Sequence, residues 1–145
     1  MDKTWYDCSV KYRKTTEEGI QKIVTESYLI DAISFTEAES RINEKAKEFI
    51  SEEFIVSNIK LTNISEVHSF DNSDRWFKSK VILIAYDEAT GKEQKSNFYI
   101  LIEANDAKDA YNKTVEIMKG TMSDYSIPAI TETRIMEIFP FFSKE

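Results

Sequence analysis

Apolar and polar positions alternate over residues 5–12, placing Tyr6, Cys8, Val10 and Tyr12 on one face. Phe77, Ser79, Val81 and Leu83 repeat the pattern in the second half. A period of two marks a strand with one buried side. Return strands are predicted over residues 23–32 and 97–104. The clearer hairpin loop is Asp87-Glu88-Ala89-Thr90-Gly91-Lys92, where Gly91 can adopt the left-handed conformation that closes the turn, as Gly19 does in the first half. The period then lengthens to that of a helix. Ala38, Ile42, Ala46, Phe49 and Ile50 form one stripe, and Ala107, Ala110, Thr114, Val115 and Met118 form another. Ser34 with Glu37, and Asp106 with Asp109, read as N-terminal caps, and Gly120 suits a helix end. Residues 54–67 and 127–139 are rich in β-branched side chains and predict one long strand each, with Pro128 marking an edge or a strand start.

The order strand, strand, helix, long strand thus occurs twice, and residue identities follow it. A shift of 71 lays Trp5 on Trp76, Val10 on Val81, Thr62 on Thr133, Glu66 on Glu137 and Phe70 on Phe141. A shift of 72 lays Leu29-Ile30 on Leu101-Ile102, Ala38 on Ala110 and Lys47 on Lys119. A one-residue slip in a loop of each half reconciles the two. The chain therefore reads as one domain, residues 1–145, made of two β-β-α-β repeats at about 5–70 and 76–141, joined at residues 69–74. The expected fold class is α+β: an antiparallel sheet, or two abutting sheets, with two helices on one face. Periodicity does not set the strand order.

Composition adds boundaries. With 41% hydrophobic residues in 145, the chain can build a core and does not read as disordered. Three glycines and two prolines leave no room for a flexible linker. No apolar run approaches the roughly 18–20 residues that span a bilayer. Met1-Asp2-Lys3-Thr4-Trp5 does not read as a signal peptide, and a single cysteine gives no internal disulfide. These features predict a cytoplasmic protein without membrane contact. A net charge of −7 and a pI near 4.9 lower the expectation of nucleic-acid binding, which draws on Lys and Arg.

Candidate chemistry is sparse. His68 is the only histidine, and Cys8 falls on the core face, so no catalytic residues are expected. One Cys and one His fall short of a zinc site, and the carboxylate pairs Glu17-Glu18 and Glu52-Glu53 follow no calcium-loop pattern. No glycine-rich phosphate loop is present, so neither metal nor cofactor is expected. The paired tryptophans are more informative. Trp5 and Trp76 fall on the strand face away from the predicted core, where Lys78, Lys80 and Tyr99 join them and Arg75 lies nearby. Such a platform suits self-association, a protein partner, or stacking of a nucleotide. A tryptophan at a strand start also serves by capping the sheet within its own fold. Phe141 and Phe142, in the terminal Phe139-Pro140-Phe141-Phe142, complete the candidate set.

At Tyr28-Leu29-Ile30-Asp31-Ala32-Ile33-Ser34-Phe35-Thr36-Glu37-Ala38-Glu39 and Met118-Lys119-Gly120-Thr121-Met122-Ser123-Asp124-Tyr125 the chain resembles a domain of unknown function from gut Bacteroidetes and their phages and prophages. Asp74-Arg75-Trp76 and Ile138-Phe139-Pro140 extend the resemblance nearly end to end. The family carries no assigned site residues. What the resemblance implies is a small bacterial or phage accessory protein. Three functional readings follow. The first is a non-enzymatic, homo-oligomeric protein that binds a host or phage protein. The second is a small-ligand binder that sequesters a nucleotide signal. The third is single-stranded nucleic-acid binding.

Overall fold

Two long hairpins and two capped helices form in the order that the apolar pattern predicts, with four shorter strands where two long ones were expected. The computed structural model describes residues 4–140. They divide between two compact units: unit 1 takes the chain up to Asn63 and from Arg134 onward, and unit 2 is Ile64–Thr133. Phe141 and Phe142 lie outside the described residues. The fold is α+β, as expected from the sequence.

Unit 1 holds β1 (Thr4–Thr15), β2 (Gln21–Ala32), α1 (Phe35–Phe49), β3 (Phe54–Leu61) and β8 (Ile135–Phe139) in a sheet of order β3-β1-β2-β8. Unit 2 holds β4 (Glu66–His68), β5 (Arg75–Tyr86), β6 (Glu93–Ala104), α2 (Ala107–Ile117) and β7 (Asp124–Glu132) in the order β4-β6-β5-β7. Each sheet carries one helix on one face. The hairpin turns close through Gly19 at φ +82° and Gly91 at φ +69°, a region L-residues avoid. The helices start where a side-chain oxygen accepts an early amide: Ser34 Oγ from Glu37 at 3.1 Å, and Asp106 Oδ1 from Asp109 at 2.8 Å. Their stripes are short residues at the closest approach, Ala38 and Ala46 in α1 and Ala110 in α2, all fully buried. This brings Ile42 down onto Cys8, Val10, Tyr28 and Ile30, and α2 onto Phe77, Val81, Ile100 and Ile102. Burying each such aliphatic side chain contributes about 1.5–3 kcal/mol.

The sheets are mixed rather than wholly antiparallel, because each long strand expected from the sequence is two strands. β3 runs antiparallel to β1 as far as Leu61↔Tyr6. There Thr62 donates both its amide (2.9 Å) and its hydroxyl (2.8 Å) to the Trp5 carbonyl. Thr133 does the same to the Trp76 carbonyl, at 2.9 Å and 2.9 Å. Each threonine ends the antiparallel ladder, and the chain then passes into the sheet of the other unit. β4 pairs parallel with β6 (Val67↔Leu101), and β8 pairs parallel with β2 (Leu29↔Ile138). The last strand of each repeat therefore belongs to the other repeat's sheet. The passage lies at Asn63–Ile64 and Thr133–Arg134, whereas residues 69–74, expected as the junction, lie inside unit 2.

A helix cation meets the segment that arrives at each sheet: β8 itself in unit 1, and the residues just after β4 in unit 2. In unit 1 Arg41 of α1 donates to the carbonyl of Asp31, to its carboxylate at 3.2 Å, and to the carbonyl of Phe139 in β8 at 3.2 Å. In unit 2 the counterpart Lys113 donates to the Glu103 carbonyl and the Ser73 hydroxyl, both at 3.0 Å, and lies 4.5 Å from the centre of the Phe70 ring. The Glu103 carboxylate accepts the Phe70 amide at 3.0 Å. The buried Asp31 carboxylate needs the Arg41 partner, since stripping its water costs several kcal/mol.

Candidate functional site

The residues singled out in the sequence fall on both units, Trp5 on unit 1 and Arg75, Trp76, Lys78, Lys80 and Tyr99 on unit 2. Trp5 is half-buried on β1, and Trp76 on β5 is buried, 6% exposed, so its ring is not an open stacking surface. Leu29 and Leu101, on the same helix-free faces, are fully buried. Arg75 precedes Trp76 in an extended strand and so lies on the opposite face. Its guanidinium stands 5.4 Å from the Phe77 ring centre, 3.6 Å from Glu132 Oε2, and donates to the Asn105 carbonyl. Lys78, Lys80 and Tyr99 do converge: Lys80 is directly opposite Tyr99, and the Lys78 ammonium sits 5.2 Å from the Tyr99 ring centre. That contact occupies a ring face with the chain's own cation.

Two reactive groups are quiet. Cys8 is fully buried beneath α1, and burial, with the nearby Asp7 charge adding, pushes its thiol up to about 12. A thiol held protonated is a poor nucleophile. His68 Nε2 is 2.8 Å from Glu66 Oε1 on the same short strand. Among the described residues no group of three or more His, Cys, Asp or Glu stands close enough to hold a metal ion. No described helix is long and apolar enough to cross a membrane.

A concavity lies at the far end of unit 1's hairpin. Pairing of β1 with β3 ends at Tyr12↔Phe54, so beyond Tyr12 its strand neighbour is β2 alone. The notch is a groove of about 860 Å³, lined by β1, the start of β2, the last turns of α1 and the start of β3. That volume is in the range of ligand and peptide sites. Ile23 and Ile55 line it while 64% and 66% exposed, and they flank the two cations: Arg13 is opposite Ile23, and Lys11 opposite Ile55. Lys47 of α1 adds a third cation, and Glu52 and Glu53 form an acidic rim. The Ser51 hydroxyl, 2.7 Å from Glu52, holds that carboxyl below its usual range. Sequence reasoning missed this surface. Its signal is a break in parity, with apolar Ile23 and Ile55 on the face opposite Val24 and Val56.

Behind the groove, Tyr12 and Tyr28 both donate to Glu26 Oε1, at 2.8 Å and 2.9 Å, and Lys14 stands 3.8 Å from Oε2. Burial first, then Glu26's acceptance and charge, push the Tyr12 hydroxyl up to about 12 and raise that of Tyr28 as well. These phenols therefore act as donors across the physiological range. Of this network only Tyr12 lines the groove, and its bond to Glu26 fixes the ring there.

No curated protein and no solved structure matches the chain. A family model does, over residues 4–141. The chain belongs to the family described as Domain of unknown function (DUF4494).

Proposed function

We propose that this chain is a non-enzymatic accessory protein of gut Bacteroidetes or their phages, working in the cytoplasm by protein–protein contact and as a homo-oligomer. The observation that carries the reading is the groove of unit 1, where two exposed isoleucines alternate with Lys11 and Arg13. Scattered exposed aliphatics need no explanation, but a pair lining one concavity beside cations is the composition of a contact surface. A host or phage protein is the partner class that such a surface suits.

A second reading, capture of a nucleotide-type ligand, draws support from Lys78 and Lys80 around Tyr99 on β5 and β6. Native mass spectrometry of gently purified protein separates the two. The interaction reading expects a homo-oligomer of 16.9 kDa chains without added mass. A small mass lost on denaturation would move the assignment to the ligand reading. A bare monomer at every concentration would remove the self-association part.

A further inference from the structure

The β1–β2 hairpin of unit 1 carries its charge in two blocks. Lys11, Arg13, Lys14 and Lys22 lie along the shaft, where Glu26 offsets Lys14 at 3.8 Å, whereas Glu17 and Glu18 stand exposed at the tip beside Ile20, which is 58% exposed. The tip has a fixed shape: the Thr16 amide donates to the Ile20 carbonyl at 2.8 Å, the Gly19 amide to the Thr16 carbonyl at 2.9 Å, and the Ile20 amide to Thr16 Oγ1 at 3.2 Å. A preformed loop loses little entropy on docking. Beside the shaft lies the groove, with Lys11, Arg13, Ile23 and Ile55 on its wall. Neither Lys11 nor Lys47 makes an ion pair among the described residues, although the chain holds 26 acidic side chains against 19 basic ones. The tip of the sister hairpin in unit 2 mixes both signs, with Asp87 and Glu88 beside Lys92. Its Glu93 pairs with Lys95 at 3.4 Å, and Asp87 accepts the Ala89 amide at 2.9 Å within its own turn.

We propose that the acidic tip of one copy docks into the groove of a second copy, giving a twofold dimer in which Glu17, Glu18 and Ile20 of each chain meet Lys11, Arg13 and Ile23 of the other. A twofold axis makes the contact twice, so one hairpin with a cationic shaft and an anionic tip is self-complementary. The charge blocks set the register and speed the encounter, while Ile20 against Ile23 and Ile55 supplies the apolar contact. Glu52 and Glu53 repel the tip from the far rim and seat it toward β1. The inference rests on the self-association reading.

The test is sedimentation at low ionic strength of three proteins: wild type, Glu17→Lys/Glu18→Lys, and Lys11→Glu/Arg13→Glu. All four side chains are exposed, and circular dichroism checks that each variant keeps its fold. Wild type is expected as a dimer, and each variant alone should dimerise at least ~10-fold more weakly, or about 1.4 kcal/mol. An equal mixture of the two variants should recover a dimer with one chain of each, because a reversed tip meets a reversed shaft. Variants that dimerise like wild type, or a mixture that stays monomeric, overturn the docking while leaving self-association standing. Wild type that is monomeric throughout overturns both.

Discussion

Units 1 and 2 build the same frame and put their polar groups in different layers of it. In unit 1 Glu26 is held by Tyr12 and Tyr28 near the open end of the hairpin, and the equivalent positions in unit 2 are Leu83, Phe98 and Ile100. Closer to the helix start the chemistry reverses. Unit 2 buries Ser79 against Thr114, with 2.7 Å between their oxygens and a further 2.7 Å bond from Thr114 to the Ala110 carbonyl. Unit 1 has Cys8 and Ile42 there. Among the described residues, no buried side-chain nitrogen or oxygen lacks a hydrogen-bond partner. The frame therefore accepts either chemistry in either layer, provided the polar groups arrive as satisfied sets. Neither network is a requirement of the fold. The one in unit 1 reaches the groove through Tyr12.

The comparison can be broken first at its shared part, the helix cation that meets the arriving segment. Arg41→Ala is expected to cost about 3–5 kcal/mol in urea unfolding, since it strips a cation from a largely buried carboxylate. Lys113→Ala should cost less, about 1.5–3 kcal/mol, because Asp109 and Ser73 are more accessible to water. Equal losses would mean that the two holds do the same work. Next in size is Thr114→Val, which leaves Ser79 buried without its partner and should cost about 1–3 kcal/mol. Adding Ser79→Ala should recover most of that loss. The triple change Tyr12→Leu/Glu26→Phe/Tyr28→Ile, which imports unit 2's residues into unit 1, should lie within about 1.5 kcal/mol of wild type. A large loss there would show that unit 1 depends on its network.

A pH titration sharpens the same contrast. Free phenols ionise near about 10, and those of Tyr12 and Tyr28 are raised in the folded state. The folded form thus holds these protons more tightly. Its stabilisation is complete below about pH 10 and drains away as pH climbs through about 12. Urea midpoints should fall over that window in wild type and fall less in the triple variant. The smallest effect is expected at the paired edge bulges. Ser57 is the extra residue of β3, and Pro128 stands 71 positions later in the bulge of β7. Ser57→Pro should therefore change stability by less than about 1 kcal/mol, since the sister site shows a backbone that accepts proline.

Much of this frame was legible in the sequence because its signals are local. The caps at Ser34 and Asp106, the turn at Gly91, the helix stripes and the core face Tyr6–Cys8–Val10–Tyr12 each follow from residues a few positions apart. The exchange of β4 and β8 was not legible. Alternation runs on through residues 54–67 with little to mark the step at Thr62, and period-two patterning is blind to which sheet a strand joins. Nothing local marks Arg41 and Lys113 either, because their partners are distant carbonyls. The tryptophans show a different limit. Parity correctly put Trp76 with Lys78, Lys80 and Tyr99 and away from the α2 face, but parity does not report burial. The groove depends on where β3 stops beside β1, a matter of register rather than composition.

The exchange of last strands has a consequence for synthesis. Unit 2 is one unbroken stretch of chain, whereas unit 1 lacks its fourth strand until Ile135–Phe139 has been made. On a ribosome adding roughly 5–20 residues per second, the first hairpin and its helix wait several seconds with the β2 edge uncovered. The part of the protein translated first is then the part completed last, and a chain released before residue 135 would carry every strand of unit 2 and lack the fourth strand of unit 1.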